Sequence, residues 1–487
     1  MKRRKLLALL LGASLCLTQL VGCAPKTDPN AESQSGSPES ASEAPTPTEA
    51  EKSPDGKVLN FWIWNDELRS RINQFYPSVV SVAEDLSTTT LDNGVTIRWT
   101  VNPNQDNNYQ NKLDEALLAQ GSAAADNKID MFAIEADYAL KYVDSEYTLN
   151  VIKDIGLTEQ DLSDQYEYTK LIATDSDGNL KGVAFQATPG LFIYRRDIAK
   201  AVLGTDDPDT VQTYLENWDK FDDTAAKMGA AGYKMLSGFA DSYRTFSNNV
   251  SAPWVTGTTV NVDKNVMNWV AQTKEYTDKG YNNKVQELWS PEWCTDQATG
   301  SKVFGFFYST WGINFTLMGY TLDTAVKDGG KLEKGNGLFG EWAVCEGPQS
   351  YYWGGTWMCA AAGTDNQQTI RDIMYYMTCD KDTMKKITED PEVQDYTNTV
   401  SGMNELAQSD FQSAFLGGQN HISLFAEAAP KIDMSNISPY DQGCNEKIQK
   451  AFQDYFNGTI DLDTAKANFE IAIKETYPEL TQVVWPA

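Results

Sequence analysis

Residues 58–72, VLNFWIWNDELRSRI, change their period partway along. Apolar side chains alternate through Trp62 and Trp64; after Asn65, Asp66 and Glu67 they recur at helical spacing, which predicts a strand, a short loop and a helix. GVTIRWTVNP (94–103) predicts a second strand, YQNKLDEALLAQGSA a helix, and KIDMFAIEADYALKYV (128–143) a short buried strand entering another helix. Three strand-then-helix units in succession predict a mostly parallel, doubly wound sheet with helices on both faces. Ligands of such sheets meet the carboxyl ends of the strands. Those ends are Trp64 through Glu67, and Glu135 with Asp137, whereas Trp62 lies inside its strand as core under a helix.

LKGVAFQATPGLFIYRRDIAKAVLG (180–204) predicts strand, bend, strand and helix. AAGYKMLSG predicts a strand after a helix, and SKVFGFFYSTWGINFTLMG (301–319) an apolar strand running into polar and aromatic residues and then a helix. QSYYWGGTWMCAAAGTDNQQTIRDIMYYMT (349–378) predicts an extended crossing segment before an amphipathic helix, and the C-terminal part predicts two helices broken at Gly458.

The first residues change the picture of where this body works. MKRRKLLALLLGASLCLTQLVGC has a basic start, a short apolar middle and a small-residue finish, as a signal peptide does (1–22). Residues 24–56 are rich in Pro, Ser, Glu and Ala and hold no aromatic or branched aliphatic residue, so 23–56 reads as a disordered acidic spacer. About 430 residues remain, too many for one usual core. Without the leader's four basic residues the chain carries 36 basic and 68 acidic side chains. Such a surface repels nucleic acid and anionic lipid, so neither is expected as a partner.

Beyond Cys16 and Cys23, the five cysteines Cys294, Cys345, Cys359, Cys379 and Cys444 have no CxxC spacing. Zinc-ribbon and thioredoxin patterns are absent; Cys345 and Cys359 either pair or remain buried thiols. The single histidine, His421, cannot build a histidine-rich metal site, and no metal or other cofactor is expected.

Leu20-Val21-Gly22-Cys23 resembles the lipobox of bacterial lipoproteins, which implies a diacylglycerol on Cys23. The order of that motif, the acidic linker, FWIWNDE, DMFAIEADY, GVAFQATPGLFIYRRDIAK, FGFFYSTWGINF, YWGGTW, FLGGQN and PYDQGCNEKIQKAFQDYFNGTIDLDTAKANFE resembles the extracellular solute-binding lipoproteins of bacterial carbohydrate ABC importers. The likeness extends to family 1 sugar-binding proteins of the maltose and oligosaccharide kind. It implies an α/β fold of two doubly wound lobes, a type II periplasmic-binding-protein clamp with crossing hinge strands and a ligand cleft between the lobes. With crossings at AFQATPG, YYWGGTW and near 400–405, lobe 1 is 57–185 plus 356–403 and lobe 2 is 186–355 plus 404–487. It also implies a monomer on the outer face of the cytoplasmic membrane of a Gram-positive bacterium, held by its lipid and serving an ABC permease and its ATPase.

A pyranose has an apolar C–H face and a rim of hydroxyls, so its site needs flat aromatic side chains plus carboxylates, amides and guanidinium groups. Trp64, Trp311 and Trp353 stand beside polar residues or glycines and are candidate platforms, with the resemblance favouring Trp311 and Trp353; Trp218 and Trp269, within helices, belong to packing. Asn65, Asp66, Glu67, Glu135, Asp137, Gln186, Tyr194, Arg244, Trp254 and Asn314 complete the candidate set. Glu135 and Asp137 offer charged acceptors, although acidic residues also favour a helix's first turn. Two other readings stay open: a solute-binding protein for a peptide or polyamine, and a glycoside hydrolase using Glu67, Glu135 or Asp137.

Overall fold

The structure is a computed structural model that describes residues 56–486. The expected signal peptide, Cys23 and the linker up to residue 55 lie outside the described residues.

Strand β1 (Val58–Ile63) buries Leu59, Phe61 and Ile63 completely, and helix Glu67–Phe75 follows it. Trp62 is only partly buried: alternation gives the core positions to its neighbours, and Phe61 stacks on Trp99 with centroids 5.1 Å apart. A hairpin of β2 (Val79–Val82) and β3 (Thr88–Leu91) comes next; it is not among the expected elements, because its Thr-rich second strand lacks apolar alternation. β4 (Thr96–Val101) and β5 (Met131–Glu135) flank β1, both parallel to it. The parallel core β4–β1–β5 follows from the three strand–helix units, and β5 runs on to Glu135, two residues past the level at which β1 ends at Ile63.

From β6 (Gly182–Ala184) the chain leaves this sheet across Phe185–Thr188 and enters a second one as β7 (Pro189–Arg195). All seven residues of β7 are buried, as expected for a central strand. Beyond it lie β8 (Leu236–Gly238), β9 (Val255–Thr256), β10 (Thr259–Asn261), β11 (Asn282–Val285), β12 (Gly305–Ser309), β13 (Trp342–Cys345) and β14 (Tyr351–Tyr352). β12, β13 and β14 all pair antiparallel with β7, while β8 and β11 form a parallel pair.

The chain returns across Trp353–Gly355 into β15 (Thr356–Ala360), which inserts antiparallel between β5 and β6. The first sheet therefore runs β2-β3-β4-β1-β5-β15-β6, its parallel centre extended on both sides by antiparallel strands. Segments that re-enter from a hairpin or from the other sheet arrive without a crossover helix, and antiparallel pairing is open to them. A third connection is built from Tyr396–Asn398, whose backbone bonds to Phe185 and Ala187; this is just before the expected position near 400–405, which is helix Val400–Ala407.

Helices Lys264–Lys279, Asp441–Phe456 and Leu462–Thr476 pack a separate core around Trp254, Trp269, Phe452 and Phe469, edged by β16 (Gln482–Val484), which pairs with β10. Gly458, with φ of 75°, makes the break between the last two helices. The five cysteines in the described region are all free thiols, Cys345 and Cys359 among them. Among the described residues no helix is long and apolar enough to cross a membrane.

Candidate functional site

The exits of β1, β5 and β12 and the two connections between the sheets converge on one cleft of about 570 Å³. Strand register explains why. Thr356 of β15 lies opposite Glu135, so the preceding residues Trp353–Gly355 pass over the end of β5. Gly190 of β7 lies opposite both Ser309 and Tyr351, which brings Trp311 and Trp353 together; the Trp311 Nε1–H donates to the Trp353 carbonyl at 2.8 Å. Gly354 sits at the junction with φ of 70°: a Cβ there would meet Trp311 Nε1 at 3.2 Å and Glu135 Oε1 at 3.4 Å.

Nine of the thirteen ligand-binding candidates line this cleft: Trp64, Asn65, Glu67, Glu135, Asp137, Gln186, Arg244, Trp311 and Trp353. Arg244, on helix Tyr243–Ser247, reaches across to Asp137 and donates to both its carboxylate oxygens, at 2.7 and 2.5 Å. Glu135 accepts the Asp137 backbone N–H at 2.8 Å, so it also caps the turn that begins at Ala136. Burial first, then repulsion from Asp137, pushes the Glu135 carboxyl up to about 8, with Arg244 opposing the shift. Glu67 is buried and accepts a 3.3 Å bond from Gln186 Nε2. Burial, then Asp395, pushes its carboxyl up to about 7, with Arg71 opposing. The Arg71 guanidinium is itself taken by Asp395 at 2.6 Å.

Four candidates lie elsewhere. Asp66 points outward and pairs with Arg69 one helical turn on, because the loop turns into a helix at Glu67. Tyr194 stands at the far end of β7 from the cleft, fully buried, its hydroxyl donating to the Asp206 carbonyl at 3.0 Å. Trp254 packs in the separate helical core, bonds Asn445 Oδ1 through Nε1, and lines a small cavity of about 40 Å³ that shares Asp137 and Arg244 with the cleft. Asn314 is buried within turn Ile313–Leu317 and donates toward Pro391.

The tryptophans also divide. Trp353 is buried, one face lying parallel to Tyr308 with centroids 6.0 Å apart and Arg244 lying 5.7 Å over its ring. It is wall and core at once. The open indole is Trp289, 46% exposed, 6.0 Å from Trp311 and nearly parallel to it. Its φ of 68° is strained for a bulky side chain, a cost met at functional positions. Sequence reasoning missed Trp289, whose signal was the Trp-Ser-Pro entry to helix Pro291–Thr295, along with Asn104, Tyr138, Phe315, Thr316 and Tyr320. The Tyr138 hydroxyl and Asn104 Oδ1 have no hydrogen-bond partner, although both residues line the cleft.

The arrangement presents aromatic faces and hydrogen-bond acceptors to one half-open cleft between two sheets. A model of the bacterial extracellular solute-binding proteins matches residues 87–414, more than half of the chain. The chain belongs to this family. Membership places this solute-binding protein outside the cell. No significant relative is found among curated proteins. Solved structures share its fold at low identity. A family 1 extracellular solute-binding protein is 15% identical, with a TM-score of 0.65 over 88% of this chain and 100% of its own. An ABC transporter associated binding protein from B. animalis subsp. lactis Bl-04, in complex with beta-1,6-galactobiose, is 15% identical at 0.64 over 88% and 100%. The sugar-binding protein MalE from Xanthomonas citri is 11% identical at 0.60 over 87% and 97%. They establish the α/β type II binding-protein fold.

Proposed function

We propose that this solute-binding protein captures a carbohydrate, an oligosaccharide long enough to reach from Trp64 to Trp289, and delivers it to an ABC permease driven by its ATPase. The observation that carries this reading is the cleft's composition: half-open indoles at Trp64, Trp289 and Trp311 surround Asn65, Glu67, Glu135 and Gln186. Flat apolar faces beside hydrogen-bonding groups match a pyranose, which has both kinds of surface. Fold relatives that hold beta-1,6-galactobiose, lacto-N-biose and cycloalternan support the same ligand class.

In this reading 57–185 plus 356–403 and 186–355 plus 404–487 act as two lobes. Saccharide stabilises their closed arrangement, which lets a permease distinguish loaded from empty protein. The lipidated Cys23 and its spacer hold a monomer at the outer face of a Gram-positive cytoplasmic membrane, within reach of the permease. In this reading the protein binds without turnover: Asp137 is held by Arg244, Glu135 caps a turn and Glu67 accepts from Gln186. Calorimetry against an oligosaccharide panel, with product analysis of each mixture, tests this. Binding with intact sugars is expected; shorter products, or binding of peptides or polyamines instead, contradict it.

A further inference from the structure

Acidic groups outnumber basic ones around the cleft. Among the described residues lining it, the acids are Glu67, Glu135 and Asp137, and the one cation is Arg244. Arg244 gives one N–H from each terminal nitrogen to Asp137, so that pair is neutral. Arg71, beneath Glu67, is likewise committed to Asp395. Two carboxyls therefore face the cleft without a cation of their own.

Glu135 is the better placed of the two. One oxygen accepts the Asp137 N–H; the other, Oε1, receives no hydrogen bond from any described residue and lies at Gly354 beside the Trp311 indole. Tyr138, only 6% exposed, also lines this space, and its buried hydroxyl has no hydrogen-bond partner. A half-buried carboxyl with one unbonded oxygen gains more from an ammonium group than from a hydroxyl once it ionises, and the rings of Trp289 and Trp311 attract cations through their quadrupoles. The strongly acidic surface, at a formal net charge of −28, steers cationic molecules inward.

We propose that the saccharide selected by this cleft is an amino sugar, its ammonium group seated on Glu135 Oε1 beside Trp311. The assignment rests on the carbohydrate reading of the site and narrows it. Asp137, Arg244, Tyr138 and Tyr352 are the charged and titratable groups around Glu135. With its carboxyl pushed up to about 8, Glu135 is protonated in the empty site at mildly acidic pH. An arriving ammonium favours the ionised form, so binding expels a proton from Glu135 to solvent.

The test is titration calorimetry at about pH 6.5 in buffers of different ionisation enthalpy, where carboxyl and buffer protons are distinguishable. The probes are glucosamine and galactosamine disaccharides, their N-acetylated counterparts, neutral disaccharides of the same linkage, and spermidine. The amino sugar is expected to bind at least about tenfold tighter than its acetylated form, with proton release. Both effects disappear in Glu135→Gln, whose melting curve shows that it is folded. Acetylated or neutral sugar binding equally well, or proton release that persists in the variant, overturns the ammonium assignment and leaves the carbohydrate reading standing. Spermidine binding without saccharide binding, or no saccharide binding at all, overturns both.

Discussion

Asp137 and Arg244 meet in the wall of the cleft: the carboxylate comes from the turn Ala136–Tyr138 just after β5, the guanidinium from helix Tyr243–Ser247, and two hydrogen bonds connect them. Both side chains are about four-fifths buried, and the guanidinium also covers Trp353. Such a pair fixes a spacing as well as contributing energy, because the fork accepts one carboxylate geometry. The pair thus ties the turn Ala136–Tyr138 to helix Tyr243–Ser247.

Arg244→Gln is expected to lower stability by about 1–3 kcal/mol, since it leaves a partly buried carboxylate without its partner. Urea unfolding of both single variants and of the Asp137→Asn, Arg244→Gln double variant measures the coupling. Solution scattering of the ligand-free variants is expected to give a larger radius of gyration than the parent. Equal radii, with additive stabilities, would show that the pair holds nothing together.

Trp289→Ala and Trp353→Ala are expected to separate. Trp289 is exposed, so its loss costs less than about 1 kcal/mol of stability while weakening saccharide binding at least tenfold. Trp353 is packed on Tyr308, so its loss costs about 3–5 kcal/mol. Thermal melting read beside calorimetry distinguishes the two outcomes.

The first sheet's parallel core was legible because period-2 runs give way to period-3.6 runs at VLNFWIWNDE, GVTIRWTVNP and DMFAIEADY, and strand ends then name Trp64, Glu67 and Glu135 as neighbours. Register across distant segments was not legible. Nothing local states that Tyr194 stands at the far end of β7 from the crossing at Phe185–Thr188, or that Trp289, in the loop after β11, meets Trp311 beyond the end of β12. Trp353 was legible as a site residue through its glycines, but its packing on Tyr308 depends on Gly190 lying opposite Tyr351. Asp66 illustrates a different limit: one residue of phase decides whether an acidic side chain faces a cleft or its own helix.

Stability is expected to fall as pH rises from about 5 to 8. The Glu135 and Glu67 carboxyls are pushed up to about 8 and about 7 by burial, above their unfolded value, so the folded state holds more protons across this window. Their stabilising contribution is complete below the unfolded value and is lost as pH passes through the folded values. Glu135→Gln removes one titration and should flatten the slope by about 1–3 kcal/mol over the window. Denaturant midpoints at several pH values check the difference between parent and variant; parallel curves would remove Glu135 as the cause.

Gly354→Ala is expected to destabilise by about 1–2 kcal/mol and to weaken binding, since the backbone is left-handed there and the new methyl presses on Trp311 and Glu135. Gly178, also left-handed at φ of 81° but with open space around its Cβ position, is the control. Its alanine variant should share the strain but not the loss of binding. A loss of binding in both would assign the effect to backbone strain alone.

The indoles around the Glu135 end of the cleft are expected to hold the sugar. Tryptophan fluorescence titration with an oligosaccharide panel, run on the parent and on the Trp289→Ala, Trp311→Ala double variant, tests it most directly. Saturable quenching or enhancement is expected in the parent, and at least a hundredfold weaker binding in the folded double variant, about 3 kcal/mol. Saturable binding of equal strength in both proteins would contradict it.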